Sequence, residues 1–546
     1  MTRITAIYTF VLALFVSTAM VPVLVRIAGF LRMVDIPAPR KVHQAPIPRV
    51  GGIAIIAGAL LPLFMWMPTN PQVDAYLAGA LLLAFFGVLD DRFDLDYRLK
   101  FLGQFIVAII VIAYGDLVIR RIPFLDDGVL LSDVFAVPLT IFFIIGVTNA
   151  INLADGLDGL AGGTSLIAIG TAGLLAYRSG EMALVIVALS IVGATLGFLR
   201  YNTHPASVFM GDSGSQFLGF SAAVLMIPVA GTPDCVISPV VPLLILGVPI
   251  FDTLAVMVRR ILDKRSPFSP DRAHIHHKLL DRGFSQYEAV VLIYGAQLLL
   301  ALVALMYPYA ADGVLLGFYI AFVISSITIL RMARKFQWNS LGWHGEGSPV
   351  NTLVGYMRRT RVLARLTYSL LLVFVPAYLV GGAILAHAID RDFGLSALLG
   401  FLLLVFAMLS RRVSVVYALR PVAFLAATFI PYLVESSLSD TGYLIIGLHV
   451  FFAGVAILVA VLVRLGGARP GFKANTLDYL VVGIAFIVPN LLNYQLGGKM
   501  LGAVVVEAVI LFYAIEILLS TKKNHCKPLV YGVLASLGIV ALRGFL

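Results

Sequence analysis

Charged residues are scarce in this sequence, and so are cysteines. Asp, Glu, Lys and Arg make up only 12% of the 546 residues, about half of their usual share in soluble domains. Hydrophobic residues make up 60%, which excludes a soluble globular protein. The short alternating segments of a transmembrane β-barrel are also missing, whereas apolar stretches of about 18–22 residues recur along the whole chain. The sequence therefore predicts an all-α, polytopic membrane protein.

Only two cysteines occur, Cys235 and Cys526. The predicted topology places one on each side of the membrane, so they cannot pair. Neither a disulfide framework nor a thiolate metal site is indicated.

Hydropathy predicts about eleven membrane-spanning helices before a polar stretch near residues 332–365, and about seven more after it. The first eleven are expected at 4–30, 50–68, 74–90, 101–119, 133–149, 159–178, 182–199, 213–230, 237–258, 287–307 and 312–331. The last seven are expected at 366–388, 394–410, 417–434, 441–463, 477–494, 499–519 and 528–545. The first segment is too long for the apolar region of a signal peptide and lacks a convincing cleavage site. We expect a membrane domain at 1–335, a cytoplasmic junction at 336–365 and an additional transmembrane domain at 366–546.

The net charge of +10 is better explained by membrane orientation than by a nucleic-acid partner. With the N-terminus outside the cytoplasm, only seven of the 39 lysines and arginines fall on the outer side. These seven are Arg3, Arg120, Arg121, Arg178, Arg391, Lys499 and Arg543. The other thirty-two lie on the cytoplasmic side or at its helix ends, as the positive-inside rule predicts.

Polar residues gather on that same cytoplasmic side. Five loops hold nearly all of the unusual polar residues, at 35–52, 90–100, 149–163, 201–215 and 266–285. Several outer turns are short and carry no comparable motif. This one-sided distribution predicts a site that faces the cytoplasm.

The loop DDRFDLDYRLK (90–100) brings three carboxylates to the end of a helix. If the helix continues, Asp90 and Asp94 lie one turn apart and Asp91 points about 100° away. Carboxylates this close at membrane depth need water, basic partners or a cation. A solvated helix end and a cation site are both consistent with this loop alone.

The loop NAINLADGLDGLAGG (149–163) strengthens the second interpretation. Asn152, Asp155 and Asp158 are spaced by three residues, so a helical turn would align their oxygens. The glycines between them permit close approach of a ligand or of another helix. Packing alone explains the glycines but not the acids among them.

In VFMGDSGS, Asp212 precedes a further predicted helix. By itself this acid is best explained as a helix N-cap. However, Mg²⁺ takes oxygen ligands and usually only one or two from protein. Asn152 and Asp212 would therefore suffice, with Asp90 and Asp91 close by.

The last polar loop, SPFSPDRAHIHHKLLDRGFS (266–285), is strongly basic. Its His-x-His-His motif could hold Zn²⁺, but no cysteine or HExxH pattern supports such a site. Arginine and histidine donors suit a pyrophosphate. Acids that bind a metal, opposite cations that bind phosphates, are typical of phosphoryl transfer.

These motifs resemble those of the polyprenyl-phosphate N-acetylhexosamine-1-phosphate transferases. DDRFDLDYRLK, NLADGLDGLAGG, YNTHPASVFMGDSGS and DRAHIHHKLLDRGFS stand in the order and topology of that family, over about residues 1–335. The His-x-His-His form is similar to the bacterial undecaprenyl-phosphate N-acetylglucosaminyl-1-phosphate transferase branch. The branch that uses UDP-N-acetylmuramoyl-pentapeptide usually has a variant of this loop, and the dolichol branch generally lacks the acid pattern.

The resemblance implies a role for each matching residue. Asp90 and Asp91 would be the catalytic residues at the reacting phosphates. Asn152 and Asp212 would bind Mg²⁺, for which Mn²⁺ could substitute. Substrate would be bound by Lys41, Asp94, Lys100, Asn149, Asp155, Asp158, Asn202, Phe209, Arg272, His274, His276 and His277. Phe209 would stack on uracil, or else pack at the membrane interface, and some of the histidines could instead shape their loop.

In the reaction that the resemblance implies, a lipid phosphate attacks the β-phosphorus of UDP-N-acetylglucosamine. UMP leaves, and a lipid-linked pyrophosphoryl sugar forms for the synthesis of cell-envelope polysaccharides such as lipopolysaccharide. Direct attack is favoured because a phosphate monoester with a second pKa near about 6 is largely ionised at neutral pH. A covalent aspartyl-phosphate route stays open.

The resemblance also implies a bacterial inner (plasma) membrane location, contact with membrane lipids and a homodimer. Alternative donors are another UDP-N-acetylhexosamine and UDP-N-acetylmuramoyl-pentapeptide.

A membrane transporter is the main alternative from another class. Transporters commonly bind substrate near the midplane, at broken helices related by a repeat. In this sequence the ionisable residues gather at one face, and no repeat is evident. A lipid phosphatase or another metal hydrolase could use similar acids. UMP release that occurs only when lipid phosphate is present would separate a transferase from a hydrolase.

The last third of the chain has no acid-rich loop motif. Glu507 and Glu516 fall within or near one predicted span, where they could be buried polar contacts or a lipid-contact site. The role of this region stays open.

Overall fold

The computed structural model describes most of the chain. The described residues are 3–37, 45–125, 129–232, 236–266, 274–335, 362–387, 389–409, 415–437, 442–465, 495–496, 499–521 and 527–545. Lys41, Arg272, the predicted span at 477–494 and most of the predicted junction lie outside them. The chain forms two compact units: described residues up to Lys335 belong to the first, and those from Val362 onward to the second.

The first unit is built almost entirely of helices. Its elements are α1 (Arg3–Leu31), β1 (Val34–Asp35), β2 (Ile47–Pro48), α2 (Gly51–Trp66), α3 (Pro71–Phe93), α4 (Tyr97–Ala113), α5 (Asp133–Ala154), α6 (Leu160–Arg178), α7 (Met182–Asn202), α8 (Gly211–Met226) with a π-helical extension (Ile227–Gly231), α9 (Val241–Ile245), α10 (Gly247–Leu262), α11 (Ile275–Leu280), α12 (Gln286–Met306) and α13 (Asp312–Lys335). The strands β1 and β2 pair antiparallel.

Twelve helices of the described residues are long and apolar enough to cross a membrane, which confirms the all-α, polytopic fold. Eight of them lie in the first unit and four in the second. Each of the eleven spans predicted for residues 1–335 contains helix, although α2 and α4 have only 16 and 17 residues.

The span predicted at 237–258 is not one continuous helix. It is divided into α9 and α10 at Leu246, whose backbone is not helical. Buried polar side chains bind the backbone groups around this break. The amide of Gln297 accepts from the Val248 N–H and donates to the Ile245 carbonyl, and the Tyr319 hydroxyl donates to the Gly247 carbonyl at 2.9 Å. Such partners make a broken helix tolerable inside a membrane protein.

Helix α8 is the deeply buried centre of the first unit, and glycines allow neighbouring helices to approach its first turn. A Cβ at Gly87 of α3 would lie 2.4 Å from Ser213 Cα, and one at Gly52 of α2 would lie 2.3 Å from Gly214 N. Contacts this short leave no room for a side chain. The polar residues at the ends of α2, α3 and α8 are therefore brought together.

The described residues of the second unit form a helical bundle and one short strand pair. Its elements are α14 (Val362–Leu385), α15 (Arg391–Leu409), α16 (Val415–Ser437), α17 (Gly442–Leu465), β3 (Gln495–Leu496), β4 (Lys499–Met500), α18 (Leu501–Thr521) and α19 (Lys527–Gly544). Helix α19 packs against α14 and α15, and α16 packs against α18. Glu516 of α18 pairs with Arg420 of α16 at 3.1 Å, so this acid is a polar contact between helices.

Candidate active site

Asp91 connects the end of α3 to the start of α8. Its Oδ1 accepts a hydrogen bond from the Asp212 N–H at 2.7 Å. Its Oδ2 accepts from the N–H of Ser213 at 3.1 Å and from its hydroxyl at 2.6 Å. A carboxylate here satisfies N–H groups that a helix leaves unpaired in its first turn. Asp91 therefore caps α8 from a different helix.

Gly211 explains how the two helices come this close. It has a φ of +73°, a backbone conformation that favours glycine. A Cβ at this position would lie 2.5 Å from Asp91 Oδ1. Gly211, Asp212 and Ser213 thus surround the Asp91 carboxylate with their backbone.

Asp212 itself is not the N-cap that its position suggested. It lies inside α8, which begins at Gly211, and its side chain points to other helices. Its Oδ2 lies 3.0 Å from Lys100 Nζ, and its Oδ1 accepts from Asn152 Nδ2 at 2.8 Å. The carboxylate of Asp212 is therefore a shared partner of α4 and α5.

Asp90 completes this cluster. Its Oδ2 lies 2.5 Å from Lys100 Nζ, and its Oδ1 accepts from the Leu95 N–H at 2.8 Å. Asp90 is only 4% exposed, which excludes the solvated helix end for this residue. Asp90, Lys100, Asn152 and Asp212 thus converge at one end of the bundle, and we call these four residues the acid cluster.

Helical spacing predicted that Asp94 would lie beside Asp90. In the structure Asp94 does not belong to the acid cluster. Helix α3 ends at Phe93, and Asp94 adopts the left-handed conformation with a φ of 53°. The helix therefore stops before a further turn could align Asp94 with Asp90. Asp94 is exposed at the helix C-cap, and its role in substrate binding stays a prediction.

A ladder of amides lies beside the acid cluster. Asn149 Nδ2 donates to Gln104 Oε1 at 2.7 Å, and Gln104 Nε2 donates to Gln216 Oε1 at 3.2 Å. Both glutamines are buried. They join α4, α5 and α8 just inside the cluster, and the sequence motifs did not include them because an isolated glutamine in an apolar helix has no spacing pattern.

Asn202 and Asp158 hold two polar loops against each other. Asn202 Oδ1 accepts from the Gly159 N–H at 3.0 Å, and its Nδ2 donates to the Val208 carbonyl at 2.9 Å. Asp158 Oδ2 lies 2.8 Å from His204 Nδ1 and accepts from the Ala206 N–H at 3.1 Å. The predicted nucleotide-binding residues are therefore neighbours, and in this structure they bind loop backbone.

Asp155 follows α5 and is half-buried. Burial raises the pKa of Asp155 to about 7, and the negative charges of Asp212 and Asp91 act in the same direction. This electrostatic coupling puts Asp155 near the acid cluster.

Phe209 is anchored through its backbone. Its N–H donates to the Pro48 carbonyl at 2.8 Å, and its carbonyl accepts from the Gly51 N–H at 3.0 Å. The aromatic side chain is half-buried. Phe209 is thus fixed between β2 and the start of α2.

The histidine motif is held by an acid that sequence analysis missed. Asp252 of α10 binds His274 Nδ1 through Oδ2 at 2.8 Å and the Ile275 N–H through Oδ1 at 2.7 Å. His274 thus shapes the loop, one of the two roles considered for it. A carboxylate within the apolar sequence PIFDTLAV is expensive to bury, and that cost could have identified Asp252.

His276 is almost fully buried and packs on the glycine-rich loop. A Cβ at Gly156 would lie 2.3 Å from His276 Nε2, and the rings of His274 and His277 lie 5.7 and 4.3 Å from the His276 ring. Burial lowers the pKa of His276 to about 3, and His277 acts in the same direction. His276 is therefore neutral at physiological pH and contributes no positive charge to the loop.

The acid cluster has the donors that a hard divalent cation requires. The structure already places one positive charge, the Lys100 ammonium, between the carboxylates of Asp90 and Asp212. Mg²⁺ takes oxygen ligands and usually only one or two from protein. Asp212, whose side chain is 36% exposed, offers carboxylate oxygens that fit that requirement. Asn152, whose Nδ2 faces Asp212 in this structure, would offer its side-chain oxygen after a rotation of the amide.

Comparison with known proteins agrees with this geometry. The profile of glycosyl transferase family 4 matches residues 73–230, which include the acid cluster. A Bacillus subtilis (strain 168) protein named "Probable undecaprenyl-phosphate N-acetylglucosaminyl 1-phosphate transferase" is 38% identical over 320 residues, which are 58% of this chain and 88% of the relative.

Two further relatives are named undecaprenyl-phosphate alpha-N-acetylglucosaminyl 1-phosphate transferase. The Yersinia pestis protein is 35% identical over 57% of this chain and 87% of its own length. The Escherichia coli (strain K12) protein is 34% identical over 52% of this chain and 79% of its own length.

The fold and the site define a polytopic membrane transferase. The chain belongs to glycosyl transferase family 4, in the group of the undecaprenyl-phosphate N-acetylglucosaminyl 1-phosphate transferases.

Proposed function

We propose that this protein transfers N-acetylglucosamine 1-phosphate from UDP-N-acetylglucosamine to undecaprenyl phosphate in a Mg²⁺-dependent reaction that releases UMP. The names of its relatives support the lipid acceptor and the transferred group. The observation that carries the proposal is the convergence of Asp90, Lys100 and Asp212 beside Asn152. Two acids and a lysine at this spacing suit a phosphate bound together with a cation.

The chemistry assigns different tasks to the members of the acid cluster. Asp212 and Asn152 would hold Mg²⁺, which when bound offsets the negative charge that develops on the diphosphate. Asp90 is placed to position the lipid phosphate or to accept its last proton. Lys100 already contacts both carboxylates, so its ammonium can bind a phosphate oxygen at the same point. Asp91 keeps the first turn of α8, and with it Asp212, in place.

The nucleotide would be bound on the side where the 155–158 and 202–209 loops meet. Asn202 and Asp158 tie these loops together, and the half-buried ring of Phe209 offers a face for a base. Neutral His276, packed on Gly156, would supply a hydrogen bond from the neighbouring histidine loop.

We further propose that this site faces the cytoplasm of a bacterium from the inner membrane, with the N-terminus outside, and that the protein forms a homodimer. The positive-inside distribution of basic residues supports the orientation. Asp94 is exposed beside the cluster, so an Asp94→Cys variant in which Cys235 and Cys526 are both replaced by serine provides a probe with a single thiol. A membrane-impermeant thiol reagent should label it in inside-out vesicles and not in right-side-out vesicles.

The test of the reaction is UMP release by the purified full-length protein. Release should require undecaprenyl phosphate, Mg²⁺ and UDP-N-acetylglucosamine together, and Asp212→Ala should reduce it by at least about a hundredfold. Asp74→Asn, at the other end of α3, is the matched control and should retain full activity.

Other outcomes would contradict the proposal. Release of UMP without lipid phosphate would indicate a hydrolase. Faster release of UMP from another UDP-N-acetylhexosamine or from UDP-N-acetylmuramoyl-pentapeptide would show that this compound, and not UDP-N-acetylglucosamine, is the donor. No release with any of these, from folded protein, would reject the transferase assignment.

A further inference from the structure

Three ionisable side chains from three helices meet at one end of the second unit. Glu435 lies in the last turn of α16, while His449 and Glu507 lie near the starts of α17 and α18. One ligand atom from each residue lies within 4.8 Å of those of the other two. His449 Nε2 is 3.9 Å from Glu435 Oε1. We call these residues the Glu–His–Glu cluster.

The two carboxylates of this cluster are buried, and three of their four oxygens have no hydrogen-bond donor among the described residues. Glu507 is 2% exposed and Glu435 is 6% exposed. Among the described residues, no group donates to either oxygen of Glu507 or to Oε1 of Glu435. Buried carboxylates in a membrane bundle are costly unless they have a partner. Glu516 of the same helix α18 has one in Arg420, which makes the contrast with Glu507 clear.

The separation of the His449 and Glu435 ligand atoms is compatible with an ion between them. Nitrogen and oxygen ligands bind Zn²⁺ at about 2.0–2.2 Å, so two ligand atoms of one ion lie at most about 4.4 Å apart. The 3.9 Å separation of His449 and Glu435 lies within that limit.

The cluster has an open side and a closed side. The His449 side chain is 47% exposed, so an ion can enter there and meet the buried carboxylates behind it. Tyr378 of α14 is close enough to interact electrostatically with both carboxylates. Its ring packs against Phe451 and Phe452 of α17, which closes the apolar side.

We propose that Glu435, His449 and Glu507 bind one divalent transition-metal ion of the Zn²⁺ class. One imidazole with two carboxylates suits Zn²⁺, whereas Mg²⁺ prefers oxygen ligands only. Three protein ligands leave a coordination position open for water or a small ligand. The bound ion joins α16, α17 and α18, and its site is built from residues that the transferase chemistry does not use.

The test is metal titration of the full-length protein after treatment with a chelator. Co²⁺ replaces Zn²⁺ as the probe because its visible absorption reports its ligands. The titration uses the Asp212→Ala background, in which the first unit lacks its proposed metal ligand. One equivalent of Co²⁺ should bind with visible absorption and be displaced by Zn²⁺. His449→Ala and Glu507→Gln should each weaken binding by at least about tenfold, and Glu181→Gln, an exposed acid elsewhere, should not.

Folding is checked by gel-filtration elution and thermal unfolding. Because His449 is half-exposed, His449→Ala should fold even if Glu507→Gln does not, so the proposal stays testable. It is overturned if the Asp212→Ala protein gives no Co²⁺ absorption, or if folded His449→Ala binds Co²⁺ as tightly as its parent. A Co²⁺ signal present in the wild type and lost with Asp212→Ala would assign the metal to the first unit and would also overturn it.

Discussion

At the residue scale, two adjacent carboxylates have different surroundings. Asp91 accepts three hydrogen bonds from the first turn of α8, so its oxygens are committed to the fold. Asp90 shares the Lys100 ammonium with Asp212. Asp91 is therefore a positioning residue, whereas Asp90 lies where the phosphates would react.

This difference predicts that the same substitution lowers stability at Asp91 and lowers the reaction rate at Asp90. Asp91→Asn replaces one accepting oxygen by an amide that faces N–H donors, and should lower the free energy of unfolding by about 1–3 kcal/mol. Asp90→Asn should leave Tm close to that of the wild type and reduce kcat by about a hundredfold or more. Thermal unfolding in detergent and initial rates of UMP release measure the two effects. An unchanged Tm for Asp91→Asn would contradict the capping role.

The buried imidazole of His276 predicts a dependence of stability on pH. Its pKa is about 3 in the folded protein and about 6.5 when unfolded. Between these values the unfolded state binds the additional proton, so stability is lost as pH falls below 6.5.

The measurement is Tm of the wild type and of His276→Gln at pH 7 and pH 5.5. Acidification should cost the wild type about 1 kcal/mol more than the variant, which has no group to protonate at this position. An equal loss in both proteins would mean that folding does not lower the pKa of His276.

Sequence analysis predicted those candidate site residues that carry a recurring pattern. Acids among glycines, or at the end of an apolar run, are conspicuous because an apolar helix makes them costly. It could not tell that Asp91 and Asp212 would meet through a capping interaction, because the contact joins residues 121 positions apart. Gln104 and Gln216 were missed because single amides give no periodic signal.

At the element scale, hydropathy predicts where helices lie but not where they end or break. The end of α3 at Phe93 follows from the left-handed conformation of Asp94, and the break at Leu246 is supported by side chains of α12 and α13. The break depends on contacts between helices, and the end of α3 depends on the backbone conformation of one residue. A hydropathy average over one segment contains no information about them.

The crossing of α3 and α8 gives a sharp prediction at this scale. Gly87 and Asp91 lie one turn apart on α3, and both face Ser213. Gly87→Ala would place its Cβ 2.4 Å from Ser213 Cα and push the two helices apart. We expect a loss of about 1–3 kcal/mol of stability, together with reduced activity because Asp212 moves with α8.

Gly146→Ala is the matched control for this change. It lies within α5, and a Cβ there meets nothing within 4 Å. Because alanine is the better helix former, this variant should be as stable as the wild type or slightly more stable. Equal Tm values for Gly87→Ala and the wild type would show that α3 and α8 can separate without cost.

At the scale of the whole molecule, the described residues of the acid cluster come from α3, α4, α5 and α8, and Asp252 comes from α10. All of these helices belong to the first unit. The Glu–His–Glu cluster belongs to the second unit. Each proposed activity is thus confined to one unit, and the sequence already indicated this for the transferase motifs because they all precede residue 336.

This separation predicts that a protein of residues 1–340 retains the transferase reaction. No described residue that contacts the acid cluster through a hydrogen bond or an ion pair lies beyond α13, so kcat/KM should stay within about threefold of the full-length value. The same truncation should abolish the Co²⁺ site, because Glu435, His449 and Glu507 are removed with the second unit. Rates of UMP release and Co²⁺ titration of the purified fragment test both halves of the prediction, after gel filtration and thermal unfolding have shown that it is folded.

A folded but inactive fragment would mean that the second unit supplies part of the binding site for the lipid or the nucleotide. A fragment that still binds Co²⁺ in the Asp212→Ala background would instead place the transition-metal site in the first unit.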